Sequence, residues 1–273
     1  MIPKTIHYCW FGGNPKSDIM ENCIASWREF CPDYEIIEWN ESNFDVHFCD
    51  YASDAYKNKQ WGYLSDIARI KIIHDHGGNY LDVDVLLHNS LDDFLEYDAW
   101  FAQDDVRYIN TGLGFGAQKG HLLTGKLLDI RQSMDYVAQI CNFIDTPIIE
   151  KYLPNWIRAE HNQVTDGVLI VGYKDYPFYA KHLYTGSWGD KNTQHQRDAR
   201  IKSNNTFSPG QMILWKLKCF LRQPKFNNYF LKRKGTFCEK VYTFVVYDLL
   251  DCGIIYFLKL ILLKLKKVLT HAS

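Results

Sequence analysis

Residues 61–87 read WGYLSDIARIKIIHDHGGNYLDVDVLL, and their pattern is helix, tight turn, strand. Tyr63, Leu64, Ile67, Ile70, Lys71 and His74 recur at three- and four-residue steps. With Ala68, Ile72 and Ile73 they suit a mostly buried helix. Gly77-Gly78 stops it, because glycine accepts the left-handed conformation that closes a helix. Asn79, Tyr80 and Leu81 then open a strand that Val83, Val85, Leu86 and Leu87 continue. Inside that expected strand sit Asp82 and Asp84, whose i, i+2 spacing puts both carboxylates on one side.

Two neighbouring carboxylates among apolar residues are costly unless a cation neutralises them or they lie at a wet strand end. Carboxylate oxygens are hard ligands suited to Mg2+ or Mn2+, ions that usually keep positions for substrate phosphates. Asp82 and Asp84 therefore have two readings, a divalent-metal site for a nucleotide diphosphate or a polar edge face. Asp66 and Arg69, at i and i+3, share one helix face. They are either a surface ion pair or, given the apolar Leu64, Ile67 and Ile70 around them, groups facing a substrate. In the second case Asp66 accepts sugar hydroxyls, and Arg69 offers a fork of donors to phosphate or sugar oxygens.

Two further stretches bear on the site. Residues 2–11, IPKTIHYCWF, read as a first strand ending at Gly12-Gly13. Ligands of open α/β sheets lie beyond the carboxyl ends of strands, so Trp10 is either a stacking surface for a nucleobase or a core tryptophan. His7 reads as packed or hydrogen-bonded. Residues 182–188, HLYTGSW, follow a late strand at 168–171. A neutral imidazole suits a transition metal, so His182 is either a third ligand or an ordinary histidine.

Taken together, SDIARIKIIHDHGGNYLDVDV, IPKTIHYCWFGG and HLYTGSW resemble, in order, the motifs of the DXD sugar-transferases of glycosyltransferase family 32. That family includes yeast-type initiating mannosyltransferases and bacterial capsule and exopolysaccharide enzymes, and it is related to the clostridial glucosylating toxins. The resemblance covers roughly residues 1–190. It implies an α/β, GT-A-like mixed central sheet flanked by helices, with Mn2+ or Mg2+ on Asp82, Asp84 and His182. It also implies nucleotide-sugar contacts from Cys9, Trp10, Asp66, Arg69, Tyr80, Asp82, Asn110, Ser187 and Trp188. Asp66, Arg69, Asp82 and Asp84 would carry the chemistry, with retention at the anomeric carbon. The implied partners are a UDP- or GDP-sugar donor and a glycan or lipid-linked glycan acceptor, with no nucleic acid.

Hydrophobic content of 47% and aromatic content of 15% fit a globular chain. Eight cysteines form no C-x-x-C pair and no zinc spacing. Scattered through apolar segments, they suit free thiols in a reducing cytoplasm, and Met1–Lys4 leads directly into a strand rather than a signal peptide. Net charge −1 hides an asymmetry: residues 216–273 hold 12 Lys and Arg against 3 Asp and Glu, leaving 19 against 29 before them. Residues 254–269, IIYFLKLILLKLKKVL, carry lysines at 259, 264, 266 and 267. The apolar run is too short to span a bilayer. A helix lying on an anionic membrane surface, at the inner face of the cell membrane, fits it; a helix packed on the domain or a dimer contact is the other reading. The chain thus divides into a catalytic domain over residues 1–208 and a basic helical region over 209–273.

Elsewhere, Ser17 is the expected cap of a helix whose apolar face is Ile19, Cys23, Ile24, Trp27 and Phe30. Residues 34–39 and 99–102 read as strands, and 108–116 as a glycine-rich strand. Residues 121–152 are helical, with a new helix starting at Asp145-Thr146-Pro147. The reading from another class is a non-catalytic, membrane-tethered partner in polysaccharide assembly. A phosphohydrolase would need an extra general base or a second metal cluster, and the sequence shows no such cluster.

Overall fold

The computed structural model describes residues 1–105, 108–136, 141–157 and 160–185. In chain order the elements are β1 (Thr5–Cys9), α1 (Asp18–Phe30), β2 (Glu35–Trp39), α2 (Asp50–Lys57), α3 (Trp61–His76), β3 (Gly78–Tyr80), β4 (Val85–Leu87) and β5 (Ala99–Asp105). They continue with β6 (Tyr108–Ile109), β7 (Phe115–Ala117), α4 (Leu122–Gln132), α5 (Asn142–Tyr152), β8 (Gln163–Thr165), β9 (Val168–Val171), α6 (Tyr176–Tyr179) and β10 (Ala180–His182). The main sheet has the order β2-β1-β3-β7-β5-β9-β8, with β6 on β5. β1 is parallel to β2 and β3, and β5 is parallel to β9. β7 runs against both β3 and β5. The carboxyl ends of β1, β2, β3, β5 and β9 therefore share one edge. This is the α/β mixed sheet flanked by helices that was expected. The basic C-terminal region and the 208/209 boundary lie outside the described residues.

The central unit folds nearly as read. α3 buries Leu64, Ile67, Ala68, Ile70, Ile72 and Ile73, and with them Asp66 and Arg69. Gly77 closes the helix, its N–H reaching Ile73 O at 2.9 Å. It does so at φ +73, and Gly78 follows at φ +99. A Cβ on Gly78 would lie 2.9 Å from His7 Nε2, so any side chain there is both strained and crowded. His7 is buried against Gly77 O and receives the Trp39 Nε1–H. Burial pushes its pKa down to about 4, so it is a packed histidine.

One expectation fails here. β3 ends at Tyr80, and the chain turns at Asp82–Val85, with Val85 N bonded to Asp82 O at 3.0 Å. β4 then leaves the main sheet and pairs antiparallel with β10, His182 opposite Val85. Asp82 and Asp84 thus sit in a turn past a strand end, not on one side of a continuous strand. The apolar alternation of 79–87 misleads because β4 is buried on different partners. Trp27 Nε1–H of α1 donates to Val85 O at 2.7 Å, and Leu87 N–H donates to Ser26 Oγ at 2.9 Å.

Smaller departures have equally local causes. Ile19 is half exposed rather than on the buried face of α1, which Met20, Cys23, Ile24 and Trp27 form. Ser17 stands at the N-cap position, but its side chain makes no capping bond. The expected strand 108–116 is two short strands around a turn at 111–113. α5 begins at Asn142 and carries Pro147 inside it, because the buried Asp145, Thr146, Ile148 and Ile149 hold the helix in place.

Candidate active site

At the shared edge, the turn after β3 and the end of β10 bring Asp82, Asp84 and His182 together. One ligand atom from each lies within 4.8 Å of the others. His182 Nε2 stands 3.0 Å from Asp84 Oδ1. The other oxygen, Asp84 Oδ2, accepts from Thr185 N–H at 2.8 Å and Thr185 Oγ1–H at 2.9 Å. The backbone locks the same junction, since Leu183 N–H donates to Asp84 O at 2.8 Å. Burial works to raise the pKa of Asp84, but the His182 bond and charge and the Thr185 donors outweigh it and hold the carboxyl low. His182 mirrors this: burial works to lower it, and Asp84, then Asp82, more than compensate, so the imidazole stays protonated above its usual range.

Asp82 faces the helix side. Tyr80 O–H donates to Asp82 Oδ1 at 3.0 Å, and Arg69 Nη1 lies 3.4 Å from both carboxylate oxygens. Burial pushes the Asp82 carboxyl up; Arg69 pulls against it and Asp84 adds to it. Arg69 is only 3% exposed, ion-paired to Asp66 through Nη2, with Tyr80 under its guanidinium at 5.2 Å. Cys9 is buried among Tyr80, Arg69 and Asp82, and that burial pushes its thiol up to about 12. It is a neutral packing group here, not a thiolate.

Asn110 comes in from the 110–113 turn. Its Oδ1 accepts Gly112 N–H at 2.9 Å, and Asp82 N–H donates to Gly112 O at 3.2 Å. Gly112 is a residue the sequence reading passed over. A Cβ there would collide with Asp82 Oδ2 and sit 2.8 Å from Arg69 Nη1. The signal was present in the run YINTGLGFG, since glycine in such a run marks close approach. Thr185 was also missed, although it lies inside HLYTGSW. Trp10 stands at the same sheet edge, partly buried against the core, where its Nε1–H donates to Asn14 O at 2.6 Å and Lys16 Nζ sits 5.5 Å from the ring centroid. Ser187 and Trp188 lie outside the described residues.

The three ligand groups fit a divalent cation. With bonds of about 2.1 Å in octahedral geometry, neighbouring ligand atoms lie about 3.0 Å apart, as His182 Nε2 and Asp84 Oδ1 do. His182 Nδ1 is buried without a hydrogen-bond partner, so the ring is oriented by its Nε2 side alone. Two carboxylates and an imidazole make a candidate donor set for a divalent cation.

The α/β sheet thus carries a carboxylate–histidine cluster beyond its parallel strand ends. Residues 17–106 match the family described as "Glycosyltransferase sugar-binding region containing DXD motif", which bears out the resemblance to family 32. Inositol phosphoceramide mannosyltransferase 3 of Schizosaccharomyces pombe is 31% identical over 44% of this chain and 34% of its own length. An uncharacterised glycosyltransferase of Acanthamoeba polyphaga mimivirus is 29% identical over 41% and 47%. The chain thus spans between a third and a half of the length of these two relatives. Among solved structures, the PaToxG glycosyltransferase aligns with TM-score 0.42 at 17% identity, over 56% of this chain and 70% of that one. A glycosyltransferase involved in glycosylation of the major capsid of PBCV-1 aligns with TM-score 0.39 at 13% identity, over 72% and 98%.

Proposed function

We propose that this chain is a metal-dependent, retaining glycosyltransferase that moves a sugar from a nucleotide diphosphate-sugar to a glycan acceptor. The observation that carries the reading is the meeting of Asp82, Asp84 and His182 at the carboxyl ends of the parallel strands, beside Arg69. When bound on these three residues, Mn2+ or Mg2+ supplies a Lewis acid for the diphosphate. Arg69, buried and charged, is fixed in advance to stabilise negative charge on the leaving group. Tyr80 and Gly112 hold Asp82 in place from two sides. Asp66, tied to Arg69, orients that guanidinium and leaves its second oxygen for sugar hydroxyls.

Each carboxylate of the cluster is already engaged: Asp66 by Arg69, Asp82 by Tyr80 and Arg69, Asp84 by His182 and Thr185. That favours front-face transfer over a covalent glycosyl-enzyme. The bond from the anomeric carbon to the β-phosphate oxygen breaks, and the acceptor oxygen bonds to that carbon on the same face. The acceptor's proton passes to the departing diphosphate. A mannosyl donor agrees with the name of the yeast relative. A surface-glycan role, with the lysine-bearing segment 254–269 resting on an anionic membrane, completes the proposal. Among the described residues no helix is long and apolar enough to cross a membrane.

Titration calorimetry with Mn2+, followed by donor hydrolysis across UDP- and GDP-sugars, tests the reading. Mn2+ binding and turnover of at least one donor are expected, with both lost in the Asp82→Asn, Asp84→Asn double variant. Full turnover by that variant, or a trapped glycosyl-enzyme adduct, contradicts the mechanism. A chain that binds neither cation nor any nucleotide-sugar is a scaffold instead. Flotation of the full chain with anionic vesicles, and its loss when the four lysines become glutamine, tests the membrane role.

A further inference from the structure

Behind the site lies an ion pair that the donor chemistry does not use. Arg131 of α4 and Asp145 of α5 are both fully buried. Arg131 Nε–H donates to Asp145 Oδ1 at 2.9 Å, and Nη2 lies 2.7 Å from the same oxygen. The second oxygen, Asp145 Oδ2, accepts from Thr111 Oγ1–H at 2.9 Å. Thr111 is itself fully buried, between Asn110 and Gly112. The next residue of α5, Thr146, clips β6, its Oγ1 accepting Ile109 N–H at 3.0 Å. Two consecutive residues of one helix therefore hold the chain over 109–111, just before Gly112.

Stability alone does not explain the pair. Taking both charges out of water costs about as much as their attraction returns, and apolar residues of similar volume serve a core as well. Its effect falls on the turn at 111–113. Asp145 gives the Thr111 hydroxyl a charged acceptor, the stronger kind of hydrogen bond. The far side of that turn is a wall of the metal-ligand cluster. Gly112 O accepts Asp82 N–H at 3.2 Å, and a Cβ on Gly112 would lie 2.8 Å from Arg69 Nη1 and against Asp82 Oδ2. We propose that Arg131 and Asp145, acting through Thr111, are positioning residues for Asp82 and Arg69. The inference rests on the transferase reading above, in which those two groups hold the cation and face the diphosphate. Arg131, Asp145 and Thr111 are sealed from solvent, so they act on the reaction by placement. Misplacing a reacting group by about 1 Å through a distant change can cost about a hundredfold in rate. The charge of Asp145 also reaches the site: burial works to lower the pKa of Arg69, and Asp82 first, with Asp145 among the others, raises it.

The test uses the full chain, well below its Tm. Titration calorimetry reads Mn2+ affinity, and kcat and KM are read on whichever nucleotide-sugar it hydrolyses. Thr111→Val keeps the volume and the ion pair but cuts the link from the pair to the turn. It is expected to lower Mn2+ affinity and kcat by about tenfold, the lower end of losses on removing an outer partner of a metal site. Thr111→Ser keeps the hydroxyl and loses a buried methyl group. It is expected to lower Tm yet rescue both readouts to within about twofold of wild type, which a merely structural role would not do. The double variant Arg131→Met, Asp145→Leu removes both charges at once. It is expected to melt near wild type and still to lose Mn2+ affinity and kcat as Thr111→Val does. The Thr111 variants keep the pair, so they decide the matter even if the double variant does not fold. Wild-type Mn2+ affinity and kcat in Thr111→Val overturn the inference, as does a serine variant that loses as much as the valine one. If wild type binds Mn2+ and hydrolyses a donor while Thr111→Val matches it, the positioning role alone fails. If wild type does neither, the transferase reading fails and takes this one with it.

Discussion

Gly112 and Thr185 show how tightly single positions constrain the cluster. The Gly112 backbone has ordinary φ, so alanine there is a steric test rather than a strain test. Its Cβ must displace Asp82 Oδ2 or the Arg69 guanidinium. Gly112→Ala should therefore lower Mn2+ affinity and donor turnover by about tenfold or more, and Tm by only a few degrees. Calorimetry beside a melting curve checks it; a variant with wild-type Mn2+ affinity would show that Asp82 is free to move. Thr185→Val removes one donor to the buried Asp84 carboxylate and keeps the volume. A hydrogen bond to a charged group contributes about 1.5–3 kcal/mol, so Mn2+ affinity should fall on the order of tenfold, with little change on Thr185→Ser. The glycine-rich run pointed to the neighbourhood of Gly112 but to neither residue by itself, for a shared reason. Their work is done through backbone placement and a hydroxyl, not through a chemically distinctive side chain. Asp66, Arg69, Asp82 and Asp84 stood out because charge amid apolar residues demands a partner, whereas His182 stood out only through the resemblance of HLYTGSW to a family motif.

Between residue and molecule, β4 and β10 decide whether Asp84 meets His182 at all. They form their own two-stranded sheet, which alone is marginal in stability. The other anchor is α1, through Trp27 to Val85 O and Ser26 to Leu87 N. Trp27→Phe keeps an aromatic ring in a fully buried place but removes the N–H. It should cost about 1–3 kcal/mol of stability, as expected for a buried carbonyl losing its donor plus a partial cavity. Because Val85 adjoins Asp84, Mn2+ affinity should fall as well, although Trp27 touches no ligand. Denaturant melts and calorimetry read the two effects separately; a stability loss with unchanged metal affinity would mean that β10 alone positions Asp84. Periodicity made α3 and the glycine stop easy to read. It could not reveal that the strand breaks after Tyr80, because β4 is as apolar as β3 and differs only in its partners. The same limit merged β6 and β7 into one strand. Pairing partners are long-range facts that local pattern does not carry.

For the domain as a whole, the Asp84–His182 pair makes stability depend on pH in opposite senses with and without metal. In EDTA, His182 has a raised pKa, so its contribution is complete below the usual 6.5 and is lost as pH rises through the folded value. Asp84 has a lowered pKa, so its contribution is present above the usual 3.8 and is lost as pH falls through the folded value. Both act together between those two reference values. The Tm deficit of His182→Ala in EDTA should therefore be largest there and shrink toward pH 8–9. Mn2+ reverses the trend, because it competes with the proton for Nε2. Binding at about 100 times Kd adds about 2.7 kcal/mol of stability. The Mn2+-induced rise in Tm of wild type should thus be small near pH 5.5 and grow toward pH 8. In His182→Ala it should be weaker and flatter, since the carboxylate held low no longer shares its ion with an imidazole. Scanning calorimetry of both proteins, with EDTA and with Mn2+, gives four curves that must diverge in this pattern. A Mn2+ shift independent of pH, or identical in the two proteins, would remove His182 from the ligand set and leave the two aspartates to hold the ion alone.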